Sequence, residues 1–246
     1  MENIPFELSS LADAKRYQRW LYESVQPFLG QRILELGSGI GNLSQHLPVR
    51  ERLILSDIEP GLLEELKRKV PPQPNVTVTQ VQVSDQLSET FKAENLDTIV
   101  SFNVMEHVEN DEALLRDLLK LLSQSNAPGP KRIVTLAPAH QFAFGEIDKQ
   151  FGHYRRYSSK SFRDLLDRAA GGSRTNFTYR SFYLNLPALL AWWLNGRVRK
   201  ISQIGSGNME LFEKLCPIIR PIDTFLHRAL RLPFGNSLVT IIELRR

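Results

Sequence analysis

Ile33-Leu34-Glu35-Leu36-Gly37-Ser38-Gly39-Ile40-Gly41-Asn42 is an apolar run that ends in glycines spaced G-x-G-x-G. A short strand feeding directly into such a turn lets backbone approach a ligand where a Cβ would collide, at the carboxyl end of the strand. A dinucleotide fingerprint needs glycine or alanine one place further on, and Asn42 stands there, which weighs against a nicotinamide or flavin cofactor. About twenty residues later a second apolar run ends in Leu55-Ser56-Asp57. A carboxylate at that place can accept hydrogen bonds from both ribose hydroxyls of an adenosine.

Working outward, short apolar runs alternate with amphipathic ones. Strand character falls at Arg32 to Leu36, Leu53 to Ser56, Val76 to Val83, Thr98 to Phe102 and Arg132 to Leu136, then at Thr175 to Tyr183 and Ser237 to Leu244. Helical spacing falls at Leu11 to Phe28, Asn42 to Leu47, Gly61 to Val70, Asp111 to Leu122 and Ser161 to Ala169. Strands apolar on both faces and separated by helices predict right-handed parallel crossovers, hence a doubly wound, Rossmann-like α/β sheet. One large domain is expected: a leading helix over 1–30, a cofactor-binding core over 31–184, a helical lid inserted at 185–236 and a last strand at 237–246. Within the lid, Pro217 and Pro221 are expected to interrupt a helix running from Met209 to Leu230, after a break at Gly205-Ser206-Gly207.

The run ILELGSGIGNLS followed by LILSDIEP resembles class I S-adenosylmethionine-dependent methyltransferases. The resemblance continues through Val83-Ser84-Asp85 and the stretch from Leu96 to Val108 that contains Asn103-Val104-Met105-Glu106-His107. It implies a seven-stranded, mostly parallel sheet with an antiparallel last strand, and S-adenosyl-L-methionine as cofactor. It also implies a cofactor site made of Glu35, Gly37, Ser38, Gly39, Gly41, Asp57, Ile58, Asp85, Asn103, Val104 and Met105. Glu35 would lie near the methionine portion, Asp57 at the ribose and Asp85 near the adenine amino group.

The cofactor's sulfonium already carries an activated methyl group, so the protein must chiefly position an acceptor and, for a hydroxyl or amine, accept its proton. Candidate groups cluster in the loop from Pro138 to Tyr157, which is long for a compact domain and rich in aromatic and titratable side chains. Its FGEID and GHYRRY stretches resemble a subgroup of the same family. His153, Asp148 and Tyr157 are the candidate catalytic residues; His107, His140, Arg155 and Arg156 are candidates for binding the acceptor, the arginines through forked hydrogen bonds to an anion. The competing reading is that Asp148 and the arginines form an internal ion-pair network folding the loop back, and that Glu106-His107 shapes the pocket rather than taking a proton.

Composition narrows the function further. The 31 Lys and Arg are dispersed among 27 Asp and Glu for a net charge of +4, so no nucleic-acid partner is expected. The single cysteine, Cys216, excludes an internal disulfide, and with neither a signal-peptide pattern nor a long apolar run a cytoplasmic protein is expected. No metal is expected. The chain is read as transferring methyl in line to an oxygen or nitrogen of a small-molecule acceptor. The alternative is a cyclase that closes the cofactor's aminobutyrate arm and releases methylthioadenosine. Trp192, Trp193 and the leucines around them could pack in the core, close an acceptor pocket, join two copies as a homodimer rather than a monomer, or rest on a membrane beside Arg197, Arg199 and Lys200.

Overall fold

The computed structural model describes residues 4–82, 86–172, 176–198, 206–230 and 232–245. Strands β1 (Arg32–Leu36), β2 (Arg52–Asp57), β3 (Val76–Gln80), β4 (Thr98–Phe102), β5 (Lys131–Pro138), β6 (Phe177–Leu184) and β7 (Ser237–Leu244) form one sheet in the order β3-β2-β1-β4-β5-β7-β6. The first five run parallel to one another, whereas β7 runs antiparallel to both β5 and β6. Chain order reverses between β1 and β4, so the loops leaving these two strands diverge and open a crevice at their carboxyl ends.

Helices cover both faces. On one, α4 (Leu87–Thr90), α5 (Asp111–Ser123) and α7 (Ser159–Ala169) bury leucines such as Leu115, Leu118 and Leu165 against Ile99 and Ile133. On the other, α2 (Lys15–Val25), α3 (Pro60–Lys69) and α9 (Ser206–Ala229) pack Trp20, Leu66 and Cys216 against Leu53, Val100 and Val239. The remaining helices are α1 (Phe6–Ala12), α6 (Glu146–Gln150) and α8 (Leu186–Trp193).

Three expectations change. The leading helix is two helices, α1 and α2, broken at Asp13-Ala14. The break is stabilised by the Gln18 amide, which donates to the freed carbonyls of Leu11 and Ala12. The helix expected at Asn42 to Leu47 is a single 3₁₀ turn, Ser44–His46, because Pro48 forces Leu47 into extended backbone. Conversely, Pro217 and Pro221 do not interrupt α9. The Glu213 carbonyl, which loses its intrahelical donor to Pro217, accepts instead from Arg16 Nη1 at 3.3 Å. The Glu213 carboxylate accepts from the Arg16 and Tyr17 backbone N–H groups, capping α2. The helical insertion is thereby tied to the leading helices. Its own start is fixed by Asp223, whose carboxylate accepts from the N–H groups of Asn185 and Leu186 at the head of α8.

Candidate active site

The glycine turn after β1 is locked by its neighbours. Gly37, Gly39 and Gly41 have φ of +70, +53 and +81, backbone that L side chains rarely adopt. A Cβ on Gly37 would stand 2.3 Å from Val104 Cγ2, and one on Gly41 2.7 Å from Leu66 Cδ1. The turn is held to β2 by Ser38 N–H donating to the Ser56 carbonyl and by Gly39 N–H donating to Asp57 Oδ2 at 2.7 Å. The other Asp57 oxygen accepts from Glu59 N–H. Each carboxylate oxygen can accept a second hydrogen bond, so Asp57 keeps capacity for a ribose. Beyond it, Ile58 is half exposed and offers an apolar surface to an adenine. Asp85 lies outside the described residues.

Glu35 is buried beneath the turn, accepting from the Ser38 hydroxyl at 2.8 Å. Burial pushes its carboxyl up to about 7. A buried acid with no cation beside it among the described residues suits a ligand that brings a positive charge of its own, as the ammonium of S-adenosylmethionine does. Asn103 closes the other side of the crevice in left-handed backbone, φ 52, its N–H donating to the Leu136 carbonyl. The donor set and the glycine cradle therefore fit that cofactor. Met105 departs from its expected role: its side chain is buried in the hydrophobic core below the crevice.

The loop after β5 folds back on itself. Ala139 and Tyr157 form a parallel bridge at the end of β5. Between them Asp148 is fully buried and serves as a hub: Oδ1 receives His153 Nδ1 at 2.9 Å and Arg156 Nε at 2.6 Å, while Oδ2 receives Gly145 N–H and Trp192 Nε1. Burial opposes its ionisation, but His153 and Arg156 outweigh that and hold the carboxyl below its ordinary range. The internal network weighed against catalysis is thus present, and Asp148, fully buried, touches His153 and not the cavity.

Other assignments in this loop are corrected by their partners. The Tyr157 hydroxyl is used up structurally, sharing its one hydrogen between the Met105 carbonyl at 3.0 Å and Asp111 Oδ2 at 2.8 Å, and burial followed by Asp111 raises its pKa far above the ordinary phenol value. Arg155 pairs with Asp111 at 2.6 Å and donates to the carbonyls of Val108 and Glu109, so it is not offered to an acceptor. His140 is stacked on Tyr183 with centroids 4.7 Å apart and tilted against Phe234, away from the cavity described next.

That cavity, of about 530 Å³, lies over the carboxyl ends of β4 and β5. Asn103, Glu106 and Pro138 form its floor, His153 and Arg156 one wall, and α1, α2, α8 and α9 the apolar remainder, with Tyr17, Trp192 and Phe212 among its aromatic side chains. Arg156 stacks on the Trp192 ring at 4.7 Å. Its Nη2 has no hydrogen-bond partner among the described residues. Glu106, which sequence reasoning passed over as a shaper of the pocket, is fully buried with both carboxylate oxygens unpartnered among the described residues. Burial pushes its carboxyl up to about 8. His107 lies with its ring centroid 4.7 Å from that of His153, and its Nε2 is 3.7 Å from Glu7 Oε2.

Residues 34–126 match the family model described as a methyltransferase domain. That stretch is a methyltransferase domain, and the whole chain has the Rossmann-like methyltransferase fold. No curated protein matches the sequence significantly. Among solved structures, the methyltransferase domain of bacterial CtHen1-CN is similar at 13% identity and TM-score 0.55, over 93% of this chain and 97% of that one. A Thermotoga maritima protein described as a possible histamine N-methyltransferase is similar at 12% identity and TM-score 0.56, over 97% and 95%. The plantazolicin methyltransferase BamL, solved with a triazolic desmethylPZN analogue and S-adenosylhomocysteine, is similar at 10% identity and TM-score 0.53, over 96% and 85%. At such identities these are likenesses of fold. The domain match and the fold imply S-adenosylmethionine as the cofactor, which would supply a methyl group already activated on sulfur.

Proposed function

We propose that the enzyme transfers a methyl group in line to an oxygen or nitrogen of an apolar small molecule held in the 530 Å³ cavity. The observation that carries this is the placement of unpartnered polar atoms in an otherwise apolar chamber: both oxygens of Glu106 and the Nε2 of His153 face no hydrogen-bond partner among the described residues, beside the crevice that Asn103 shares. In the reaction a bond forms from the acceptor oxygen or nitrogen to the methyl carbon, the carbon–sulfur bond breaks, and the acceptor's proton leaves to the Glu106–His153 pair. Burial works against charge on His153, but Asp148, Glu7 and Glu106 outweigh it and push its pKa up to about 9, so the neutral ring that can take the proton gains population as pH rises toward 9. Asp148 fixes the ring through Nδ1 and leaves Nε2 toward the cavity. The surrounding apolar wall excludes water from the sulfonium. Chromatography of the chain incubated with S-adenosylmethionine and a panel of apolar alcohols, phenols and amines tests the reading. S-adenosylhomocysteine formed only with an acceptor supports it; methylthioadenosine accumulating without one would show the cofactor being cyclised instead.

A membrane surface is the source of acceptor we propose. Ile218, Ile222 and Phe225 are exposed along one side of α9, and Leu211 and Leu215 of the same helix line the cavity rim, so exposed apolar surface runs continuously into the chamber. Such a face favours the plane of a bilayer boundary. No helix among the described residues is long and apolar enough to cross a membrane. Trp192 belongs to the cavity and the Asp148 network, while Trp193 is exposed. Arg199 and Lys200 lie outside the described residues.

A further inference from the structure

We propose that Glu7, His107 and His153 hold a divalent transition-metal ion in the wall of the acceptor cavity, a site the methyl-transfer reading alone does not require. Each of the three offers one ligand atom, and these atoms all lie within 4.8 Å of one another. Glu7 Oε1 is 3.9 Å from His153 Nε2 and Glu7 Oε2 is 3.7 Å from His107 Nε2, both too long for a hydrogen bond. Metal–nitrogen and metal–oxygen bonds of about 2.0–2.1 Å in a tetrahedral set leave ligand atoms about 3.3–3.4 Å apart, so the cluster needs to close only slightly around an ion.

Two further observations point to a ligand rather than to a packed ion cluster. His153 Nε2 is buried, faces the cluster and has no hydrogen-bond partner among the described residues, and neither has either oxygen of Glu106, which lines the same cavity. A buried ring nitrogen and a buried carboxylate left unsatisfied side by side are costly unless something occupies the space between them. The second is the support behind the histidine: Nδ1 of His153 is 2.9 Å from Asp148 Oδ1, and Asp148 is itself anchored by Arg156, Gly145 and Trp192. A carboxylate behind the far nitrogen fixes the tautomer that leaves Nε2 as a ligand and sharpens its direction. Two imidazoles with one or two carboxylates suit zinc, manganese, iron or cobalt.

The ion deepens the methyl-transfer reading and, in its catalytic part, rests on it. With the ion bound, His153 Nε2 is a ligand and no longer a base; an acceptor oxygen taking an open coordination position would have its own pKa lowered, and its proton would leave to Glu106 while the new carbon–oxygen bond forms and the carbon–sulfur bond breaks. The ligands come from α1, from the turn after β4 and from the β5 loop, so the ion would also draw the leading helix over the site.

Titration of the full chain, first stripped with a chelator, with Co²⁺ tests the site through the visible d–d absorption of the bound ion. The expected result is one saturable Co²⁺ site, displaced by Zn²⁺ and weakened at least tenfold in both Glu7→Ala and His107→Ala. Because those residues lie on separate segments, one variant still carries the test if the other does not fold. No absorption change, or Co²⁺ binding unaltered in the folded variants, overturns the proposal. Calorimetric titration of the same metal-free chain with S-adenosylmethionine is run in parallel. Cobalt binding without cofactor binding would leave the metal site standing and remove the methyl-transfer reading, and the reverse would do the opposite.

Discussion

Substituting Gly37 by alanine examines how the crevice is built. At φ +70 an L residue costs about 1–2 kcal/mol relative to glycine. The new methyl would also stand 2.3 Å from Val104 Cγ2, and overpacking of that kind adds about 1–3 kcal/mol. Together the expected loss is roughly 2–5 kcal/mol, which for a domain of this size lowers the midpoint by about 4–20 °C. Val104→Ala removes the colliding atom and leaves the backbone cost. The double variant should therefore be more stable than the sum of the single effects by at least about 1 kcal/mol. Scanning calorimetry of the four proteins measures this coupling. Additive losses would mean that the turn after β1 and the turn after β4 are not in the contact that sets the crevice, and the reasoning from Gly37 would fail.

Other outcomes follow from the same geometry. Asp57→Ala should weaken S-adenosylmethionine binding at least tenfold in calorimetry, since it removes both the ribose acceptor and the Gly39 anchor; unchanged affinity would remove Asp57 from the cofactor site. His153→Ala should lower turnover about 10²–10⁴-fold while sparing cofactor affinity, and intact turnover with a working acceptor would end its proton-transfer role. Glu35, with its carboxyl near 7, is largely protonated at about pH 6 in the free protein. A cationic cofactor favours its ionised form, so binding there should release a proton and affinity should fall as pH drops below about 7; equal binding heats in buffers of different ionisation enthalpy at about pH 6 would contradict this. Phe225→Glu, at a position 63% exposed, should abolish sedimentation with phospholipid vesicles without altering the melting temperature. Retained sedimentation would exclude that face as the membrane contact.

The sheet was legible because its strands are short, apolar and closed by turns that only certain residues permit. Arg32–Leu36, Thr98–Phe102 and Ser237–Leu244 fall at their predicted bounds. What the pattern could not show was where tertiary contacts overrule it. Pro217 sits inside α9 because Arg16, some two hundred residues away in the chain, accepts the role of donor to Glu213. The candidate cofactor residues could be picked out together because they cluster at strand ends. The acceptor side was not, because its chemistry comes from a meeting of distant segments. Glu7 on α1 carries no signal until α1 is laid beside His107 and His153. Tyr157 and Arg155 looked available in the sequence, and only the position of Asp111 shows them engaged. Glu106 gave the opposite impression, since nothing in a Glu-His pair reveals that the carboxyl is buried without a partner.

Calorimetric titration of the purified chain with S-adenosylmethionine, repeated at two temperatures so that a vanishing enthalpy cannot hide binding, bears most directly on the whole account. Saturable binding at one site per chain, displaced by S-adenosylhomocysteine, is the predicted result. No binding at either temperature, with the protein folded, would contradict the assignment of Glu35, the glycine turn and Asp57 to a cofactor site.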